Sequence, residues 1–199
     1  MRIALGLMLL VAWMPASAAY AQSPGNRADI GVATGYTNVW YPEAGFGSFS
    51  IAGNVRFPVS DHISLSPEVI VSRHAEDRRF SRGSSPDAET HSRRTNWSAG
   101  LNLIVSKRAG AVRPFGGGGI AINGERSSFE TVVPAPDANA GVFRTERSES
   151  PSIGAQGLAG VDVLVSEHAI VFGMVRADVR NAFGAALAFH YLGGVRFRF

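Results

Sequence analysis

From residue 30 onward the apolar side chains recur at every second position. Ile30, Val32, Thr34 and Tyr36 alternate with Gly31, Ala33 and Gly35. Phe49, Ile51, Val55 and Phe57 alternate with Ser48, Ser50, Asn54 and Arg56, and Ile63, Leu65, Val69 and Val71 with Ser64, Ser66, Glu68 and Ser72. The same pattern returns in Trp97–Val105, Ile153–Val165, Val171–Val179 and Leu187–Phe199. Strict alternation predicts strands whose two faces meet different surroundings. An eighth segment, Val112–Asn123, contains Pro114, Phe115 and the run Gly116–Gly119, which leaves its facing ambiguous. Each segment is about the length of a membrane-crossing strand, roughly 9–11 residues.

The connectors alternate as well. Pro58–His62, Ser106–Gly110 and Ser166–His168 are tight, whereas Asn38–Gly45, Ala75–His91 and Gly124–Pro151 read as long polar loops; Asn181–Gly184 closes the series as a short one. One plain rim and one elaborate rim describe an up-and-down meander, the layout of outer-membrane barrels with short periplasmic turns and longer extracellular loops. The predicted fold is therefore all-β: an eight-stranded antiparallel up-and-down transmembrane β-barrel.

Which face is inside follows from the polar set. Asn54, Arg56, Glu68, Asn102, Gln156, Asp162, Arg176, Asp178, Arg180, His190 and Arg196 share few lysines and carry both signs of charge. A solvated outer wall carries mixed Lys and Glu instead, so a soluble barrel with an apolar interior is the weaker reading. An eight-stranded lumen is filled by side chains, and charges buried together must be paired. Glu68, Asp162, Arg176, Asp178, Arg180, His190 and Arg196 are accordingly expected to form a lumen polar network. The apolar set then faces lipid, with Tyr36, Phe57, Trp97, Phe189, Tyr191, Phe197 and Phe199 as interfacial girdle candidates.

Composition sharpens this picture. The 199 residues include 23 glycines and no cysteine, and only 18% are charged, below the roughly 25% of soluble domains. Disulfides, thiolate metal sites and cysteine nucleophiles are excluded, and no cofactor is implied. Met1-Arg2, an apolar run from Ile3 to Trp13 and Ala19-Tyr20-Ala21 make residues 1–21 a secretory signal peptide and 22–199 the barrel domain. Removal of Arg2 leaves 18 basic against 16 acidic residues, a balance that points to no nucleic-acid partner.

The terminus Leu192-Gly193-Gly194-Val195-Arg196-Phe197-Arg198-Phe199 resembles the closing strand of small outer-membrane barrels. Pro114-Phe115-Gly116-Gly117-Gly118-Gly119 resembles a strand of the OmpA transmembrane domain and the opacity-type proteins. The resemblance implies a monomer in a Gram-negative outer membrane, with roles in adhesion or envelope integrity. It also implies that Tyr191, Phe197 and Phe199 signal to the barrel-assembly machinery.

Several features carry candidate chemistry. Arg78, Arg79, Arg82, Arg93 and Arg94 in the second long loop, beside Arg73, His74 and His91, suit bidentate contact with lipopolysaccharide phosphates or another polyanion, though a solvated loop has the same composition. His74 and His91 alone do not make a metal site. Gly116–Gly119 lacks the Gly-Lys-Ser/Thr of a phosphate loop and suits strand curvature instead. His190 is read as a lumen hydrogen-bonding group before a catalytic one, and the expected protein is not an enzyme. Phe129, Val132, Val133 and Phe143 in the third loop are candidate contacts with a host or envelope protein; packing on the barrel rim, with part of Gly124–Pro151 extending the strands above the membrane, is the equal alternative. The leading expectation is a structural or surface-interaction barrel; a narrow porin-like channel and a lipid-modifying enzyme are the alternatives.

Overall fold

The computed structural model describes residues 27–41, 44–74, 77–80, 89–107, 110–133, 141–148, 151–180 and 186–199. Ten strand segments account for nearly all of them: β1 Asp29–Tyr41, β2 Ala44–Pro58, β3 Ile63–His74, β4 Asp77–Phe80, β5 Glu89–Ser106, β6 Val112–Val133, β7 Gly141–Ser148, β8 Ser152–Leu164, β9 Ala169–Arg180 and β10 Ala186–Arg198. All pairings are antiparallel, and they run β1–β2–β3–β5–β6–β8–β9–β10 and back to β1. β4 continues the place of β3 beside β5, and β7 that of β8 beside β6, so the ten segments are eight staves of a closed barrel. The predicted residues 1–21 and the connector at 181–184 lie outside the described residues.

The register fixes the barrel's width. Ile30 is opposite Val55, and the register set by Asn54–Glu68 and Phe57–Leu65 puts Val55 opposite Pro67. The path continues through Leu101, Ile120, Ala155, Val179 and Leu187 to Trp40, ten residues beyond its start on β1. Eight strands staggered by ten residues tilt by about 40° and hold the backbone about 8 Å from the axis. Inward side chains fill a space of that width.

Alternation decides what they are. The inward face is buried and the outward face apolar and exposed, including Ile30, Val32, Ile51, Leu103, Ile120, Val175 and Val195. The ambiguous segment resolves: Phe115, Ala121 and Asn123 point inward, Ile120 and Ile122 outward. Phe57 and Phe49 bound the apolar wall on β2, Phe197 and Phe189 on β10. Each pair is eight residues apart, about 20 Å along the axis at about 3.3 Å per residue, which matches the apolar band of roughly 25 Å that a barrel presents to lipid.

Three connectors differ from expectation. Asn38–Gly45 is not a long loop, because β1 runs to Tyr41 and β2 begins at Ala44. Within Ala75–His91 and Gly124–Pro151 the described residues include strand: β4, the start of β5, the end of β6 and β7 pair with one another above the closed ring. Polar composition marked these segments as loops, but backbone groups above the membrane can pair with each other whatever their side chains. On β6 the sheet extends ten residues beyond Asn123, the last partner of β8, roughly 25 Å at the same tilt. The register shifts by one residue where β3 gives way to β4 and β8 to β7 (Arg73–Thr95 against Asp77–Ser92; Asn123–Ser152 against Arg126–Ser148).

Candidate functional site

Two arrangements could carry function: the polar lumen and the sheet that projects from the ring. The lumen divides into two charged clusters. In the lower one, Asp162 accepts from Arg56 at 2.6 Å and from Arg196 at 2.7 Å. The Arg196 guanidinium lies 3.9 Å over the Phe172 ring, and Arg56 lies 4.6 Å from the Phe115 ring. Aromatic faces stabilise a desolvated cation, so one carboxylate and two rings together hold two buried arginines. The small residues opposite make this fit. A Cβ on Gly31 would stand 2.6 Å from Arg196 Cγ, and one on Gly160 2.5 Å from Phe115 Cζ. At the mouth below, Asp29 accepts from Arg198 at 2.9 Å.

The upper cluster centres on Arg176, which is fully buried. It donates to Asp178 at 2.6 and 2.8 Å, to Ser98 Oγ at 2.6 Å and to Glu68. Asp178 also faces His190 Nε2 at 3.1 Å, while His190 Nδ1 and the Thr37 hydroxyl are 2.7 Å apart. An imidazole that donates from Nε2 and accepts the Thr37 proton at Nδ1 satisfies both contacts. Thr37, Ser50 and Ser72 form a closed hydroxyl cluster. Between the two charged clusters Ala33, Leu158, Met174 and Leu192 pack in the lumen. Gln156 and Asn102 bond each other.

Thr37, His190 and Asp178 stand in the order of nucleophile, base and orienting group. Thr37 and His190 are nevertheless completely buried, and the hydroxyl is shared with two serines. A carbonyl carbon has no approach to it in this arrangement, so the trio holds strands β1, β9 and β10 together.

Six of the seven residues expected in the lumen network are thus brought into it, in two separate clusters; Arg180 is on the same strand face as Arg176 and Asp178, and its side chain lies outside the described residues. Thr37, Ser50, Ser72, Ser98 and the rings of Phe115 and Phe172 were not singled out for this role. Their inward parity was legible, but which inward residues meet across the lumen depends on the register of all eight staves.

The projecting sheet holds the loop arginines. Arg78 and Arg79 are on β4, Arg82 lies outside the described residues, and Arg93 and Arg94 are on β5. Arg93 faces outward and is exposed, whereas Arg94 faces inward and pairs with Glu125 at 2.9 Å. The five therefore do not form one surface. On the outward face Arg126 pairs with Glu146 at 2.6 Å and Arg144 with Glu130 at 2.7 Å. The Arg144 guanidinium holds the Glu130 carboxyl below the ordinary glutamate range, and Arg126 does the same for Glu146. Phe143 is exposed and Phe129 half-buried. Tyr191, Phe197 and Phe199 all point outward from the closing strand. No group of three or more metal-ligating side chains occurs among the described residues.

No family model matches the chain, and no curated protein matches it. Solved structures do. Neisserial surface protein A is similar over 86% of this chain and 97% of its own, with 14% identity and a TM-score of 0.62. Ail, the attachment invasion locus protein of Yersinia pestis, covers 87% of this chain and 99% of its own, with 10% identity and a TM-score of 0.57. A major outer membrane protein from Thermus thermophilus has the same coverage, identity and TM-score. At this identity the likeness establishes the fold, which is that of the small outer-membrane β-barrels.

Proposed function

We propose that this chain is an exported outer-membrane barrel that acts at the cell surface through its projecting sheet. The observation that carries the reading is the contrast between the two ends of the molecule. The ring encloses a lumen filled by its own paired side chains, while β4, β5, β6 and β7 continue as a paired sheet well beyond it. A filled lumen weighs against a narrow channel, and the buried Thr37–His190–Asp178 trio weighs against lipid modification. A paired sheet raised above the headgroups, with Phe143, Arg93, Arg126 and Arg144 exposed, is a surface for lipopolysaccharide, host or envelope partners. The apolar outer wall supports membrane insertion, since lipid demands a closed ring with apolar outward residues. Neighbours that include a surface protein and an attachment invasion protein support the same role. The outward Tyr191, Phe197 and Phe199 of β10 are proposed as the contact with the barrel-assembly machinery.

The test is deletion of Ser128–Glu146, rejoined by a tight turn, in the full chain expressed in a Gram-negative host. The shortened protein is expected in the outer membrane with its heat-dependent gel shift intact, and to lose binding of the cells to epithelial monolayers and extracellular-matrix proteins. Unchanged binding, or a full-length protein that fractionates away from the outer membrane, would overturn the reading.

A further inference from the structure

One outward patch has a chemistry that neither the lumen nor the apolar wall explains. Tyr36, Phe49, Arg73, Thr95 and Arg126 are consecutive cross-strand neighbours on β1, β2, β3, β5 and β6. Arg93 stands two residues above Thr95 on the same face of β5, and Trp97 two residues below. Thr95 is thus bordered by Arg73 on one side, Arg126 on the other and Arg93 above. Arg73, Arg93 and Arg126 are all exposed. On this face Arg126 and Arg144 pair with Glu146 and Glu130, while Arg73 and Arg93 border one groove.

Its position is specific. Thr95 is about 5 Å above Trp97 along the axis, and Trp97 belongs to the aromatic band that closes the apolar wall. Below it Val71 and Leu101 are exposed. Trp97 lies against Gly124, where a Cβ would come within 2.5 Å of the indole, and Tyr36 lies over Gly47. An open groove of about 540 Å³ lies beside Tyr36, Gly47, Phe49, Arg73, His74 and Arg93. Desolvated apolar wall, aromatic belt and arginine forks follow one another within two strand turns, the order in which acyl chains, sugar and phosphate follow one another in an anionic amphiphile.

We infer that this face binds the phosphorylated headgroup of a lipid A molecule in the outer leaflet. Arg73 and Arg93 supply the bidentate forks that match phosphate geometry, Thr95 stands between Arg73 and Arg126 with Arg93 above it, and the acyl chains run down the wall past Trp97. The inference rests on the outer-membrane reading above and gives it a partner. It also narrows the polyanion contact: of the loop arginines Arg93 stays, Arg94 faces inward to Glu125, and Arg73 takes its place.

The experiment uses the full chain folded into phosphatidylcholine nanodiscs, with bound lipid counted by native mass spectrometry. The probes are bisphosphorylated lipid A, its dephosphorylated form and inorganic phosphate as competitor. One bisphosphorylated lipid A per barrel is expected, with retention lowered at least tenfold by dephosphorylation or by Arg73→Ala/Arg93→Ala. Arg73→Lys/Arg93→Lys is expected to retain an intermediate amount, and Arg113→Ala, on the opposite rim, the parental amount. Equal retention by the alanine variant, or of the dephosphorylated lipid, would overturn the site. Displacement by millimolar phosphate would assign it to a free anion instead. A chain that does not enter nanodiscs at all would overturn the outer-membrane reading with it, whereas insertion without selective retention overturns only this site.

Discussion

Arg176→Ala is the sharpest perturbation of the barrel's interior. The guanidinium is fully buried and donates to Asp178, Ser98 and Glu68, so its removal leaves two buried carboxylates with one shared cation gone. Of its described partners Asp178 keeps His190, and Glu68 loses the one ion-pair partner described for it. Breaking a buried pair by deleting one partner costs about 3–5 kcal/mol, because the remaining charge is uncompensated. At 1.36 kcal/mol per decade, a loss of about 4 kcal/mol is about a thousandfold in the folding equilibrium. The assay is urea unfolding of the protein in lipid vesicles, followed by the heat-dependent gel shift. The companion variant Arg176→Met/Glu68→Gln/Asp178→Asn removes the charges together while keeping a side-chain oxygen opposite His190, so no uncompensated charge stays buried. It should lose less than about 1.5 kcal/mol. An alanine variant that unfolds within about 1 kcal/mol of the parent, or a neutral triple variant as damaged as the single one, would refute the claim that uncompensated charge sets the cost.

Two other outcomes follow from the geometry. Arg144 lowers the Glu130 carboxyl below the ordinary glutamate range, so this pair contributes above the unfolded-state value and is lost as pH falls through the lowered one. A carboxyl chemical-shift titration should show a depressed Glu130 midpoint that Arg144→Ala returns upward; a midpoint already in the ordinary range would show the pair to be unformed. Gly160→Ala would place a Cβ 2.4 Å from the Gly173 carbonyl oxygen and 2.5 Å from Phe115 Cζ. Phe115 can move but the backbone of β9 cannot easily follow, and overpacking of this kind costs about 1–3 kcal/mol. The urea midpoint should fall with an unchanged slope, and an unchanged midpoint would mean that the two strands separate freely there.

The alternation of single strands was enough to separate inside from outside. Ser48, Ser50, Asn54 and Arg56 are buried while Phe49 and Ile51 are exposed, as a period of two dictates once lipid is the outer solvent. The ring-filling charges were likewise legible as a class, since both signs on one face of an eight-stranded barrel have nowhere else to be neutralised. Two signals misled. The ends of Ala75–His91 and Gly124–Pro151 hide their strand period behind charged and hydroxyl side chains, yet the described parts, β4, the start of β5, the end of β6 and β7, pair above the ring. Arg93 and Arg94 looked like one basic cluster, yet adjacent residues on a strand point to opposite faces, and Arg94 finds Glu125 inside.

By itself, then, the amino-acid order determined how many times the chain crosses and which side chains face each way, because both follow from local geometry and from the difference between lipid and a packed interior. Partners across the lumen were decided only in three dimensions. Glu68 and Arg176 are 108 residues apart, as Thr37 and His190 are 153 apart, and their meeting depends on the ten-residue stagger that accumulates around the ring. Each interstrand register adds to that stagger, so no one strand contains it. The same accumulation sets Arg73, Thr95 and Arg126 side by side at the height of the headgroups.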